Sequence, residues 1–294
     1  TGTAITLAGG NPTVTGDIAI YEGTEIVGED LLKGEIKTLS AEIQYPAIVF
    51  PEFPLLSNGT IKDKTISEDG HFDTLSNSNG ETLIIDLKGN VNGGETRKIT
   101  VGTLNLKGSL ELRNVGETGQ LLLYVENIAS GSNLLLNGDS EETGKPHPRD
   151  LTLYYSGTTT FEMTNPSKQY ITGNIVIGYA DVEVDNDAAN AHITGGYLNG
   201  NLFTMGTKVK MAGNPDGSSS LIYAPNAEVE MTGGAFVGAV IADTLTARGN
   251  SHIDFPDFED GEGFIDTFPS GIFGPDYEYE EGGGYRRGTW SAGR

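Results

Sequence analysis

The sequence predicts an all-β chain and, within that class, a β-solenoid: a right-handed, parallel β-helix-like stack with short irregular extensions at its N- and C-terminal ends. Three observations predict it. A five-residue alternating element recurs along the chain, its first and third positions are apolar, and its fifth is Gly or Asn in every copy. Composition agrees, because 42 of 294 residues are glycine while only 36% are apolar. That balance suits many short strands joined by tight turns better than a helical bundle.

The copies read IDLKG at 85–89, LELRN at 110–114, LLLNG at 134–138, FEMTN at 161–165, VEVDN at 182–186, VKMAG at 209–213, VEMTG at 229–233 and LTARG at 245–249. Their spacing is roughly 16 to 27 residues. Residues i and i+2 of a strand share a face. Aligned copies therefore give one column of Ile85, Leu110, Leu134, Phe161, Val182, Val209, Val229 and Leu245, and a second of Leu87, Leu112, Leu136, Met163, Val184, Met211, Met231 and Ala247. Both columns face inward if the copies stack. Gly or Asn at the fifth position tolerates the left-handed geometry of a sharp corner. A further strand precedes most copies, as ITVGTLNL, LLLYV, LTLYY, NIVIG and LIYAP. One such coil cannot bury its apolar face alone, but its neighbours cover it at the strand spacing of about 4.8 Å. A β-sandwich is the alternative; it explains alternation but not two apolar columns held in register.

Four segments follow from this pattern. Residues 1–44 carry a weaker alternation, as in ITLAGGNPTVTGDIAI. Residues 45–79 form a Pro-rich strap and connector. The stretch YPAIVFPEFP has three prolines in ten residues, which forbids a central strand and favours an extended conformation. Its Ile48, Val49, Phe50 and Phe53 are expected to lie along the flank rather than in water. Residues 80–255 are the main solenoid, and 256–294 an acidic, aromatic cap or tail. Phe255, Phe258, Phe264, Phe268 and Trp290 are expected to pack on the solenoid end, because an open last coil offers unpaired backbone to other strands.

The formal charge of −23, from 41 acids against 18 basic residues, repels duplex DNA and anionic lipid, so no nucleic-acid partner is expected. With no cysteine there is no disulfide framework. The longest uncharged apolar run, GGAFVGAVIA, is far short of the ~18 residues of a membrane span. Membrane attachment is expected only through an N-terminal helix removed from this chain.

Two acidic clusters are candidate calcium sites. Asp185 and Asp187 flank a corner, and Asp257, Glu259, Asp260 and Glu262 crowd around EDGEG without the spacing of an EF-hand. The plainer reading of the first region is a surface charge ladder: Asp181, Lys208, Glu228 and Thr244 in one outward column, and Glu183, Lys210, Glu230 and Thr246 in the other. Glu162 beside Glu183 is a like-charge exception. Cofactors are therefore none, with calcium the one considered. No catalytic residues are expected. His71, His147, His192 and His252 are scattered, and no G-x-S-x-G, H-E-x-x-H or P-loop occurs. A glycan partner would need exposed aromatics on one flank, for which Tyr154, Tyr155, Tyr179 and Tyr197 are the candidates, with Tyr155 a candidate for the interior instead.

DLTLYYSGTTTFEMTN (150–165), SLIYAPNAEVEMTGGAFVGAVIADTLTARGNSHIDF (220–255) and the early GNPTVTGDIAI resemble the glycine-rich β-solenoid region of bacterial and archaeal pilin-like, prepilin-type cell-surface proteins. The IYAPNAxVxxxGG element at 222–234 is the most specific piece. The likeness spans residues 80–256 and, more loosely, 1–79. It implies an extracellular, non-enzymatic filament or envelope component that self-associates or binds other envelope subunits, and it supplies no catalytic residues. A carbohydrate-binding or polysaccharide-cleaving β-helix, and a calcium-dependent adhesin or S-layer-like module, are the alternatives.

Overall fold

The computed structural model describes residues 4–40, 45–50, 53, 60–61, 65–89, 94–138, 146–165, 168–178, 182–184, 197–212, 220–254, 268–269 and 271–273. Strands make up most of them. Two short 3-10 turns, Glu29–Leu31 and Pro148–Asp150, are the helical pieces among the described residues. Every strand-to-strand ladder among them is parallel, and the one antiparallel contact is an isolated bridge between Lys88 and Gly94. Antiparallel pairing is the mark of a β-sandwich, so the observed sheets depart from that alternative.

Most strands fall into three ladders. The first passes from Gly70–Ser76 through Thr96–Asn105, Gln120–Ile128, Leu151–Tyr155, Asn174–Ile177 and Leu202–Thr204 to the first half of Ser220–Thr232. The second passes from Thr65–Ile66 through Thr82–Asp86, Ser109–Arg113, Leu134–Leu136 and Gln169–Thr172 to Tyr197–Asn199. The third begins at Phe161–Met163 and runs through Val182–Val184 and Lys208–Ala212 to the second half of Ser220–Thr232 and on to Ala235–Gly249. The first and third meet in those two long strands, where the register shifts between Ala224 and Glu228. Pro225 lies at that shift, where its missing N–H leaves no gap in the ladder. One continuous core links all three ladders, with Leu75, Leu104, Val125, Leu136, Ile177 and Val229 fully buried.

The register that the sequence predicts for the later copies is the observed pairing. Phe161, Val182, Val209, Val229 and Leu245 are successive partners, as are Met163, Val184, Met211, Met231 and Ala247. The earlier copies need correction. Leu110 pairs with Leu83 and Leu136, not with Ile85 and Leu134, and LLLNG continues into Gln169–Thr172 rather than into FEMTN. The two departures at Leu110 are shifts of two residues, and the last is a change of ladder. A period-two pattern is unchanged by such a shift, so the inward faces were right while the partners were wrong. The corners are left-handed at Asn114, Gly233 and Gly249 as expected, but at Asn137 rather than Gly138, and Gly89 and Asn165 are not among the positive-φ residues.

Residues 4–40 are not an irregular extension. Ala4–Gly10 pairs with the end of Ala235–Gly249, with Ile5 opposite Leu245 and Leu7 opposite Ala247. Thr13–Thr15 pairs with His252–Asp254. Glu25–Val27 then stacks on Ala4–Gly10, Leu32 on Val14, and Ile36–Leu39 on Ile18–Tyr21. The N-terminal segment thus supplies the two rungs that follow the last rung of the chain. Residues 4–15 supply the backbone pairing at that end, and most of the acidic tail expected to close it lies outside the described residues. The described part of the tail lies on the flank, where Phe268 and Phe273 meet Phe203. Phe255, Phe258, Phe264 and Trp290 lie outside the described residues.

Tyr45, Ile48, Phe50 and Phe53 lie on the flank of the first ladder. Tyr45 lies edge-on to Tyr223, whose hydroxyl donates to the Pro46 carbonyl at 2.7 Å. Phe50 and Phe53 pack on Tyr124 and Tyr154, at centroid distances of 4.8–6.2 Å. Ile48 joins the same cluster, but Val49 turns outward at 43% exposure. Its backbone N–H donates to Ile272 O at 2.8 Å, tying strap and tail segment together.

Candidate interaction surface

Three outward surfaces carry chemistry: the charged face of the third ladder, the aromatic flank under the strap, and the two ends. On the charged face Lys208 stands opposite Glu228, and Lys210 lies between Glu183 and Glu230. The register expected for the charge ladder is the observed one. Asp181, its first member, lies outside the described residues. Arg248 extends the alternation, with Nη1 3.8 Å from Glu230 Oε1. Glu162 is registered against Glu183, so the like-charge neighbours belong to the backbone pairing.

Charge reversal at Lys208→Glu with Lys210→Glu places acids in register with Glu228, Glu183 and Glu230. We expect the melting temperature to fall by several degrees at low salt. The loss should shrink at ~1 M salt, where the screening length drops to about 3 Å. Equal melting at low salt would show that the face contributes nothing.

The aromatic flank is an outward stripe in register along the first ladder: Thr100, Tyr124, Tyr154, Val176, Phe203, Tyr223 and Ile241. Strap and tail residues cover it. Burial pushes the Tyr154 hydroxyl up to about 12. Tyr45 also rises to about 12, through burial first and then the neighbouring Tyr21, with which it shares a hydrogen bond. Tyr21 ends a strand of the N-terminal rungs, so Tyr45 joins strap to rungs.

These positions change the aromatic candidates. Tyr154 and Tyr155 are 1% and 2% exposed, which corrects Tyr154 as a surface aromatic and places Tyr155 in the core against Phe161. Tyr179 lies outside the described residues. Tyr197 is half-buried and stacked on Tyr170, with centroids 4.7 Å apart and planes at 11°. Tyr170 was missed because the three-residue strands around it are too short to show alternation.

All six calcium candidates, Asp185, Asp187, Asp257, Glu259, Asp260 and Glu262, lie outside the described residues. Among the described residues, no three His, Asp or Glu side chains are grouped to hold one metal ion. The described histidines stay apart. His71 Nε2 is 3.8 Å from Asp73. His147 caps the turn Pro148–Asp150, its Nδ1 accepting from Arg149 N and its own N–H donating to the Asp150 carboxylate at 2.7 Å. His252 Nδ1 meets the Thr13 hydroxyl. His192 lies outside the described residues. Asp150 is the one buried carboxylate among them; burial raises its pKa, opposed by the hydrogen bond from His147 N–H and the charges of His147 and Arg149. It closes a turn, with no second carboxylate in the same contact set.

No helix among the described residues is long and apolar enough to cross a membrane. Residues 149–258 match a family model described as "Domain of unknown function (DUF7305)". The match starts at the turn carrying Asp150 and runs through every rung of the third ladder up to residue 249. No curated protein and no solved structure matches the chain.

Proposed function

We propose that this chain is a non-enzymatic, extracellular structural subunit, a β-solenoid of pilin-like or cell-envelope filament type that self-associates. The observation that carries this reading is the unbroken parallel register. Each rung of the first ladder from Gly70 to Ala242 pairs with the next, over a core shared with the other two ladders. Such a stack resists bending and repeats its surface at every rung, as a spacer or shaft component requires. Successive rungs one turn apart in sequence, with inward residues from three ladders in one cluster, are what a solenoid produces.

The burial of Tyr154 and Tyr155 weighs against a glycan-stacking flank. Calcium, if taken up, would go to the acidic corner at Asp185 and Asp187 or to the EDGEG segment, as a stabilising ion. The test combines sedimentation, electron microscopy and chelation on the same preparation. We expect elongated oligomers that grow with concentration, no turnover across a panel of soluble polysaccharides, and melting unchanged by chelator. Cleavage of any polysaccharide, or a monomer at every concentration, would overturn the reading. A melting point lowered by many degrees on chelation would make calcium part of the structure.

A further inference from the structure

Order along the chain and order in space disagree at one place. The rung beyond His252–Asp254 is supplied by residues 4–21, so that Thr13 and His252 are bonded across a separation of 239 positions. Three kinds of contact hold that rung. Ala4–Ala8 pairs with Thr244–Arg248 and Thr13–Thr15 with His252–Asp254. The Thr15 hydroxyl donates to the Asp254 carboxylate. Gly10 lies so close to Gly249 that a Cβ on it would sit 2.4 Å from the Gly249 carbonyl oxygen. None of these contacts depends on which copy of the chain supplies residues 4–40, because the covalent link to the remaining rungs is the strap and its connector.

Both ends of the stack are open among the described residues. Glu25–Val27 and Ile36–Leu39 pair on one side only, and Val27 is 44% exposed. At the far end Thr60–Ile61 and Thr65–Ile66 also pair on one side only. Both ends thus present edges of parallel strands, Glu25–Val27 and Ile36–Leu39 at one and the starts of the first and second ladders at the other, and a parallel strand can be added to each.

We propose that residues 4–40 are an exchangeable pair of rungs and that the partner is a second copy of this chain. Within one copy they cover the last rung, Ala235–Asp254. Between copies, the last rung of one chain takes residues 4–40 of the next, whose own Thr60–Ile66 rung then stacks on its Glu25–Leu39 edge. Chain order and space order then agree, and the product grows head to tail. The exchanged contacts are identical on both sides and cancel, as in other swapped assemblies. The balance lies between the strap contacts released and the new ladder between residues 25–39 and 60–66. Concentration therefore decides between the closed and linked forms. This rests on the self-association proposed above and specifies its surfaces.

The absence of cysteine makes the test clean. Ala4 and Thr244 are registered partners, half-buried and outward-facing. Variants carrying only Ala4→Cys or only Thr244→Cys are mixed and treated with a short bis-maleimide cross-linker, which adds one cysteine thiol across each of its two double bonds. A dimer joining one of each is expected, rising with concentration and exceeding the dimers from either variant alone. The Ala4→Cys/Thr244→Cys variant should cross-link within the chain when dilute and between chains when concentrated. Mixed dimers no more abundant than the single-variant background would overturn the exchange, as would failure of the double variant to cross-link within the chain. Sedimentation of the same samples separates the two readings. Oligomers without 4–244 cross-links sink the exchange and leave self-association standing, whereas monomers throughout sink both.

Discussion

Asn201→Leu is expected to destabilise the chain by about 2–5 kcal/mol, read as a lowered denaturation midpoint at unchanged slope. Asn201 is fully buried and sits between rungs. Its Nδ2 donates to Asn174 Oδ1 at 2.9 Å, and its Oδ1 accepts from Leu221 N at 2.8 Å. Asn174, 1% exposed, passes the chain on by donating to Pro148 O at 3.3 Å. The two amides thus join segments of four successive rungs, beside the backbone bond from Ile175 N to Asn201 O at 2.8 Å. Leucine matches the volume, so packing changes little, but Leu221 N loses its partner and Asn174 Oδ1 keeps only the longer bond from Asn201 N at 3.3 Å, each change at a loss of about 1–3 kcal/mol. Asn174→Leu should behave similarly. The double variant should lose less than the sum, because both changes delete the same bond. An unchanged midpoint for Asn201→Leu would mean that the amide bridge contributes nothing in solution.

That bridge also marks where sequence reasoning ran out. Alternation located the inward residues because a period of two fixes a face, and it did so even where the partner was wrong. Leu110 faces inward whether it meets Ile85 or Leu83. Alternation says nothing about which strand lies next door. Copies belonging to the second ladder, such as LLLNG, could not be told from copies of the third, such as FEMTN, because both present the same parity and similar corners. From Phe161 to Leu245 the copies were aligned correctly because all belong to one ladder and the charges at Lys208, Lys210, Glu228 and Glu230 give the register a second signal. The docking of residues 4–40 on the last rung was invisible for a different reason. Its contacts join the two ends of the chain, and no local pattern encodes a partner so distant. The strap was legible because apolar residues interrupted by proline can neither enter a central strand nor remain in water. Val49 escaped that logic because only one side of an extended segment can touch the flank.

Phe50→Ala with Phe53→Ala is expected to release the strap and expose the Tyr154 hydroxyl. The two rings pack on Tyr124 and Tyr154, and Phe50 also lies against Gly178. Each is half-buried, so each truncation should fall below the about 3–5 kcal/mol of a fully buried phenylalanine. The sharper readout is ionisation. Tyr154 is held at about 12 by burial, against an ordinary value of 10.0. Between those values the folded chain binds a proton that the unfolded chain has lost, so parental stability falls as pH rises from 10 towards 12. With the strap gone, alkaline absorbance titration should show more phenolate near pH ~11 than the parent does, from Tyr154 and from Tyr45 of the strap itself. The Tyr154→Phe background should remove the Tyr154 share of the difference, and Tyr45→Phe the remainder. Identical titration curves for parent and variant would show that the strap does not shield this residue. The same pair of truncations also removes contacts that favour the closed form. In the Ala4→Cys and Thr244→Cys mixture they should therefore raise the yield of mixed dimer at a fixed concentration. A fall in that yield would mean that the strap supports the linked form instead.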